Sequence, residues 1–99
     1  MTVDLDWENL GFNYRKLPFR YISYFKDGKW DEGQLTEDAT LHISEASPAL
    51  HYGQEAFEGL KAYRTKDGSI QLFRPDENAK RLQRAADRLL MPQVPVDKF

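Results

Sequence analysis

The sequence predicts an α+β domain: antiparallel β-hairpins followed by one C-terminal helix. Three observations carry this. Short runs rich in β-branched and aromatic residues occupy positions 21–25 and 60–73, two Lys-Asp-Gly triplets interrupt them, and from Pro75 the β-branched residues give way to a run with helical periodicity.

Taken in order, residues 1–19 mix Asp, Asn, Pro and isolated aromatics without a period, and read as an N-terminal arm anchored by Trp7, Phe12 and Tyr14. The domain proper is expected over 20–99. The run "YISYF" at 21–25 is a strand, and Asp27-Gly28 in "KDGKW" is the dipeptide that type I′ turns prefer, so the chain returns near Trp30. "ATLHIS" at 39–44 reads as a further strand before Pro48. "GLKAYR", "TKDG" and "SIQLF" then repeat the strand, turn and strand. If "LKAYR" is a strand, Lys61 and Tyr63 share one face, with Leu60, Ala62 and Arg64 on the other.

The helix is expected over about 75–90, in "PDENAKRLQRAADRLL". Proline suits its first position, and Asp76 and Glu77 complement the partial positive charge of its N-terminus. At 100° per residue, Asn78, Ala79, Leu82, Ala85, Ala86, Leu89 and Leu90 fall on one arc. Arg81 lies beside the edge of that arc, so its stem can follow a buried surface while its guanidinium reaches the boundary. Arg84 and Arg88 lie further round, toward solvent. The closing "QVPVDKF" has no capping or tail-like composition and reads as a cut.

Composition excludes several functions. Ninety-nine residues make one domain, and a chain this short buries a modest share of its surface, so its stability is expected to draw on a partner. A net charge of −2 with dispersed basic residues offers no footprint for nucleic acid or an anionic membrane. The absence of cysteine removes disulfides, thiolate metal sites and cysteine nucleophiles. No apolar run is long enough to span a bilayer, and the acidic N-terminus lacks the form of a signal peptide, which points to the cytoplasm. There is no phosphate-binding glycine loop and no nucleophile elbow. His42 and His51, with Glu45 or Glu55, match no common metal-ligand spacing, so no metal is expected. Glu55 and Glu58, spaced by about one helical turn, are of a type that does acid-base work, but solvated surface acids explain them more simply. A lysine at 61 among apolar neighbours could form a Schiff base or snorkel to solvent. Pattern reading therefore reaches an α+β domain with an anion site and stops.

The stretches "SPALHYGQEAFEGLKAYR" and "DGSIQLFRPDENAKRLQRAADRLLMP", about residues 40–92, and more loosely "LGF" at 10–12, closely resemble the N-terminal part of branched-chain amino-acid aminotransferases. These are fold type IV pyridoxal-phosphate enzymes. The resemblance implies the small N-terminal domain of a homodimeric enzyme whose cofactor, pyridoxal 5′-phosphate, lies between it and a large C-terminal domain. The implied reaction moves the amino group of Leu, Ile or Val to 2-oxoglutarate.

It also implies roles for particular residues. Arg81 in "NAKRL" matches the arginine that holds the cofactor phosphate, although periodicity alone would leave it a solvated helix arginine. Phe57 in "AFEG" matches the aromatic wall of the substrate side-chain pocket, where burial preference alone would make it a core residue. Tyr52 in "LHYG" matches a tyrosine that reaches toward the neighbouring subunit's site, and Phe12 a pocket aromatic from the arm. Lys61 matches a basic residue near the pocket, suited to a substrate carboxylate. No catalytic residue is expected in this chain, because the Schiff-base lysine and the glutamate facing the pyridine nitrogen lie in the large domain, and Lys61 does not fill that place. Sister enzymes such as D-amino-acid aminotransferases and aminodeoxychorismate lyases often carry His three positions before the arginine. That position is Asn78 here, which favours the branched-chain class. Two alternatives stand beside this one, a detached non-catalytic interaction domain and a sister fold type IV activity.

Overall fold

The computed structural model describes Glu8, Gly11 and residues 14–99. The expected anchors Trp7 and Phe12 lie outside the described residues. Tyr14, the third, is 81% exposed and does not anchor the arm by burial. The chain divides into two compact units, Met1–His42 and Ile43–Phe99.

Among the described residues the first unit holds four short antiparallel strands. β1 (Arg20–Ile22) pairs with β4 (Gln34–Thr36), and β2 (Phe25–Lys26) pairs with β3 (Lys29–Trp30). Lys26 faces Lys29 across a two-residue turn in which Asp27 and Gly28 have φ of 54° and 82°. Two positive φ values in succession are what a type I′ turn needs, so this hairpin forms as the Asp-Gly pair predicts. The rings of Phe25 and Trp30 meet edge to face across the strands, 5.3 Å between centroids.

"YISYF" is not one continuous strand. Asp31 interrupts it: its Oδ1 accepts hydrogen bonds from Ser23 Oγ, Tyr24 N and Gly33 N, all at 2.8–3.1 Å. A carboxylate that gathers three donors from two chain segments breaks the ladder into two short pairs. Gly33 completes the bend, because its φ is 74° and a Cβ there would collide with the Tyr21 phenol.

The strand expected at 39–44 does not form; these residues have no regular structure. Their propensity is overridden locally. Asp38 accepts from Thr40 N at 2.9 Å and pairs with His42 Nε2 at 2.9 Å, turning the chain on itself, and among the described residues no strand pairs with this segment. These bonds, the His42 side chain first and the Thr40 backbone next, lower the Asp38 pKa below its ordinary value.

The second unit opens with α1 (Pro48–His51), one turn capped by Ser47 Oγ, which accepts from Ala49 N. β5 (Tyr63–Arg64) pairs with β6 (Ile70–Gln71). The strand is thus shorter than "GLKAYR", and Lys61 precedes it, so strand alternation does not set its direction. The second Lys-Asp-Gly makes a different turn from the first. Gly68 N donates to Thr65 O, Thr65 N donates to Ser69 O, and only Gly68 of the loop has positive φ, 90°. This is a three-residue loop ending in a left-handed glycine. Asp67 ties it by accepting from the Thr65 hydroxyl and from Ser69 N, and those bonds hold its carboxyl down to about 2.

α2 (Pro75–Arg88) begins at proline as expected and ends two residues before the expected limit. Ala79 and Ala86, two turns apart, are its buried positions, and Leu82 and Ala85 are half-buried beside them. Leu90 leaves the arc. It adopts φ of 57°, is 89% exposed, and donates to Asp87 O, while Met91 N donates to Ala86 O. That pair of bonds is a Schellman ending, with leucine where glycine is usual. Side-chain bonds tie the end of α2 to its surroundings: Gln54 Nε2 of the preceding loop donates to Leu89 O at 2.7 Å, and Gln83 Nε2 of α2 donates to Val94 O of the tail at 2.8 Å. The fold class is α+β, as the sequence predicts.

Candidate functional site

The strongest polar cluster of the second unit joins α2 to the loop 53–62. Asn78 and Arg81 are three residues apart on α2 and so project from neighbouring positions of one helix face. Both reach Glu58. Arg81 Nε donates to Glu58 Oε2 at 2.6 Å, and Arg81 Nη2 donates to Oε1. Asn78 Nδ2 donates to the same Oε1 at 2.8 Å and to Gly59 O at 3.1 Å. Gly59 N adds a fourth donor to the carboxylate at 3.2 Å.

The two charged partners differ in exposure. The Glu58 side chain is 4% exposed and that of Arg81 65% exposed. A carboxylate so enclosed persists as a charge only because it is paired and hydrogen-bonded. Hydrogen bonds from Arg81 first, then Asn78, hold the Glu58 carboxyl down at about 2 against the opposing effect of burial, and the Arg81 guanidinium is held above its ordinary value by the same contact. Glu58 is therefore not the solvated acid that its spacing from Glu55 suggests. Its partner lies 23 positions away, and no local pattern announces such a pairing. The one sequence signal was its place between Phe57 and Gly59, in the motif that carries the resemblance.

Two of the five N–H donors of Arg81 go to Glu58, both on the Nε edge. Among the described residues nothing binds Nη1, so the outer edge is a cationic, two-pronged donor surface open to solvent. Such an edge matches the geometry of phosphate or carboxylate oxygens.

The other expected site residues fall around this cluster. Phe57 adjoins Glu58 in the chain and is 92% exposed, so it is not a core residue of this unit. Tyr52 caps the C-terminus of α1, donating its N–H to Pro48 O, and its side chain is 87% exposed. Lys61 is exposed, two residues beyond the Gly59 carbonyl that Asn78 holds. Phe12 lies outside the described residues. Both loop glycines have open space where a Cβ would stand; Gly53 has a φ of 64°, which favours glycine, and among the described residues neither glycine serves a close approach. A shallow concavity lined by Tyr24, Phe25, Lys26, Asp27, Lys29 and Asp31 lies in the first unit and holds none of the expected site residues.

The loop that carries the exposed Phe57 is tied to α2 through Glu58, and the relatives of this chain are aminotransferases. Over 97% of its length it is 70% identical to the branched-chain-amino-acid aminotransferase of Haemophilus influenzae and 56% identical to that of Helicobacter pylori. It is also 44% identical, over 98% of its length, to a methionine aminotransferase of Arabidopsis thaliana. These matches bear out the resemblance to branched-chain amino-acid aminotransferases. The chain spans about 28% of the length of each of these three relatives. No family model matches it.

Proposed function

We propose that this chain is the small-domain portion of a branched-chain amino-acid aminotransferase, transferring the amino group of Leu, Ile or Val to 2-oxoglutarate. The observation that carries the reading is 70% identity maintained over 97% of the chain. The exposed outer edge of Arg81, which suits an anionic phosphate, supports it.

The donor chemistry fits pyridoxal 5′-phosphate at its phosphate end. Arg81 would take that phosphate through Nη1 and the free proton of Nη2, while Asn78 and Glu58 keep the arginine on the helix face. When bound, the cofactor supplies the electron sink for amino-group exchange. Phe57, exposed beside the cluster, would form an apolar wall that favours branched side chains over polar ones, and Phe12 would add to it from the arm. Lys61 would attract the substrate carboxylate. Tyr52, with its ring in solvent, would complete the pocket of the partner subunit in a cytoplasmic homodimer. The lysine that handles protons is assigned to the large domain, so residues 1–99 bind and shape without performing the chemistry.

The test is a substrate panel on the full-length protein with 2-oxoglutarate as acceptor: L-Leu, L-Ile, L-Val, L-Met and D-Ala. The branched-chain acids are expected to exceed L-Met in kcat/KM by about tenfold or more, the discrimination that an apolar pocket achieves for a small change of shape. L-Met as the best donor would move the specificity to that of the plant relative. D-Ala as the best donor would replace the branched-chain reading with a sister activity.

A further inference from the structure

We propose that Glu58 is a positioning residue for cofactor retention: it holds the Nε edge of Arg81 so that the Nη1 edge stays presented to a phosphate. The inference rests on the reading of Arg81 as the phosphate anchor and goes beyond it, because Glu58 itself touches no ligand in this arrangement.

Three features of the geometry carry it. The first is the division of the guanidinium. Glu58 takes Nε and one proton of Nη2, which leaves the opposite edge available, so the carboxylate steadies the arginine without occupying its outer donors. The second is enclosure. With a side chain only 4% exposed, Glu58 cannot follow Arg81 into solvent, whereas Arg81 at 65% exposure has a long side chain that would otherwise sample many rotamers. The third is anchorage. Gly59 N and Asn78 Nδ2 fix the carboxylate independently of Arg81, and Asn78 also binds Gly59 O, so the loop and α2 are joined whether or not an anion is present. Such a scaffold lowers the ordering cost that phosphate binding would otherwise carry. A negative charge beside an anion site opposes binding, but here it is spread over four donors and faces away from the open edge.

The experiment uses the full-length holoenzyme in four forms: wild type, Glu58→Gln, Arg81→Ala and the double variant. The rate at which each loses pyridoxal phosphate on dilution is followed by the cofactor's absorbance, with thermal melting as the check of folding. Arg81→Ala is expected to accelerate loss. Glu58→Gln is expected to accelerate it by about tenfold or more, the scale on which partners that orient a binding group act. In the Arg81→Ala background, Glu58→Gln is expected to change nothing further, because its effect passes through the arginine. A merely structural Glu58 would accelerate loss by the same factor in both backgrounds, and that result overturns the inference. Unchanged or slower loss from Glu58→Gln overturns it as well, slower loss marking Glu58 as a competitor of the anion. If Glu58→Gln does not fold, Asn78→Ala removes one anchor and keeps the ion pair. A several-fold acceleration that vanishes without Arg81 then supports the inference, and none overturns it. Should Arg81→Ala itself retain cofactor like wild type, the phosphate-anchor reading fails and this inference with it. Should Arg81→Ala lose cofactor while Glu58→Gln does not, only the inference fails.

Discussion

Arg81 and Glu58 show what a single residue's chemistry can and cannot announce. The position of Arg81 at the rim of an apolar arc marks it as able to reach a boundary site, and the proposed function gives it a phosphate to hold. Glu58 gives no such sign, because its role depends on a partner from another element. Its ionisation can be tested directly. The Glu58 carboxyl is depressed from an ordinary 4.5 to about 2, so the stabilisation that follows from its charge is complete above about pH 4.5 and disappears as pH falls toward 2. Unfolding midpoints of wild type and Glu58→Gln should therefore differ by a constant amount at neutral pH and converge between about pH 4.5 and 2. A difference independent of pH down to 3 would mean that the carboxylate is not held by Arg81.

At the scale of elements, turn chemistry was legible and strand extent was not. Both Lys-Asp-Gly triplets make hairpins, since a glycine with positive φ is demanded at each, yet one closes on two residues and the other on three. The difference follows from Asp67, which binds Thr65 and Ser69 and tightens a longer loop. The 39–44 strand failed because Asp38 captures its neighbours, a competition that propensity does not weigh. At α2, Pro75 fixes the start, while the end depends on Leu90 accepting a left-handed conformation. That conformation strains any residue with a Cβ by about 1 kcal/mol, and the exposed Leu90 side chain offers little packing in return. Leu90→Gly should raise stability by about 1 kcal/mol in equilibrium denaturation. A loss of that size would show that the leucine side chain makes a contact with the rest of the full-length protein that outweighs the strain.

For the whole molecule, the apolar surface and the comparisons agree. Among the described residues only Ala79 and Ala86 are buried apolar positions, while Tyr52, Phe57, Phe73 and Leu90 are each more than four-fifths exposed. So many exposed large apolar side chains around so small a buried core are uncommon on a free-standing domain and accord with a part that packs on more protein. That accords with a chain spanning about 28% of its relatives' length. No helix among the described residues is long and apolar enough to cross a membrane. The family resemblance was legible because long motifs survive in the sequence. The extent to which these side chains are exposed was not, because sequence pattern marks which residues are apolar and not what covers them.

The central claim is that Arg81 anchors the cofactor phosphate. An absorbance titration of the full-length apoenzyme with pyridoxal phosphate tests it most directly, comparing wild type, Arg81→Ala and, as a control, Arg84→Ala from the solvent face of the same helix. Loss of the charge-assisted phosphate contact should weaken affinity by about tenfold to a hundredfold in Arg81→Ala, titrated below a melting transition that falls because Glu58 loses its ion-pair partner, with Arg84→Ala titrating like wild type. An Arg81→Ala curve that superimposes on the wild-type curve would contradict the account.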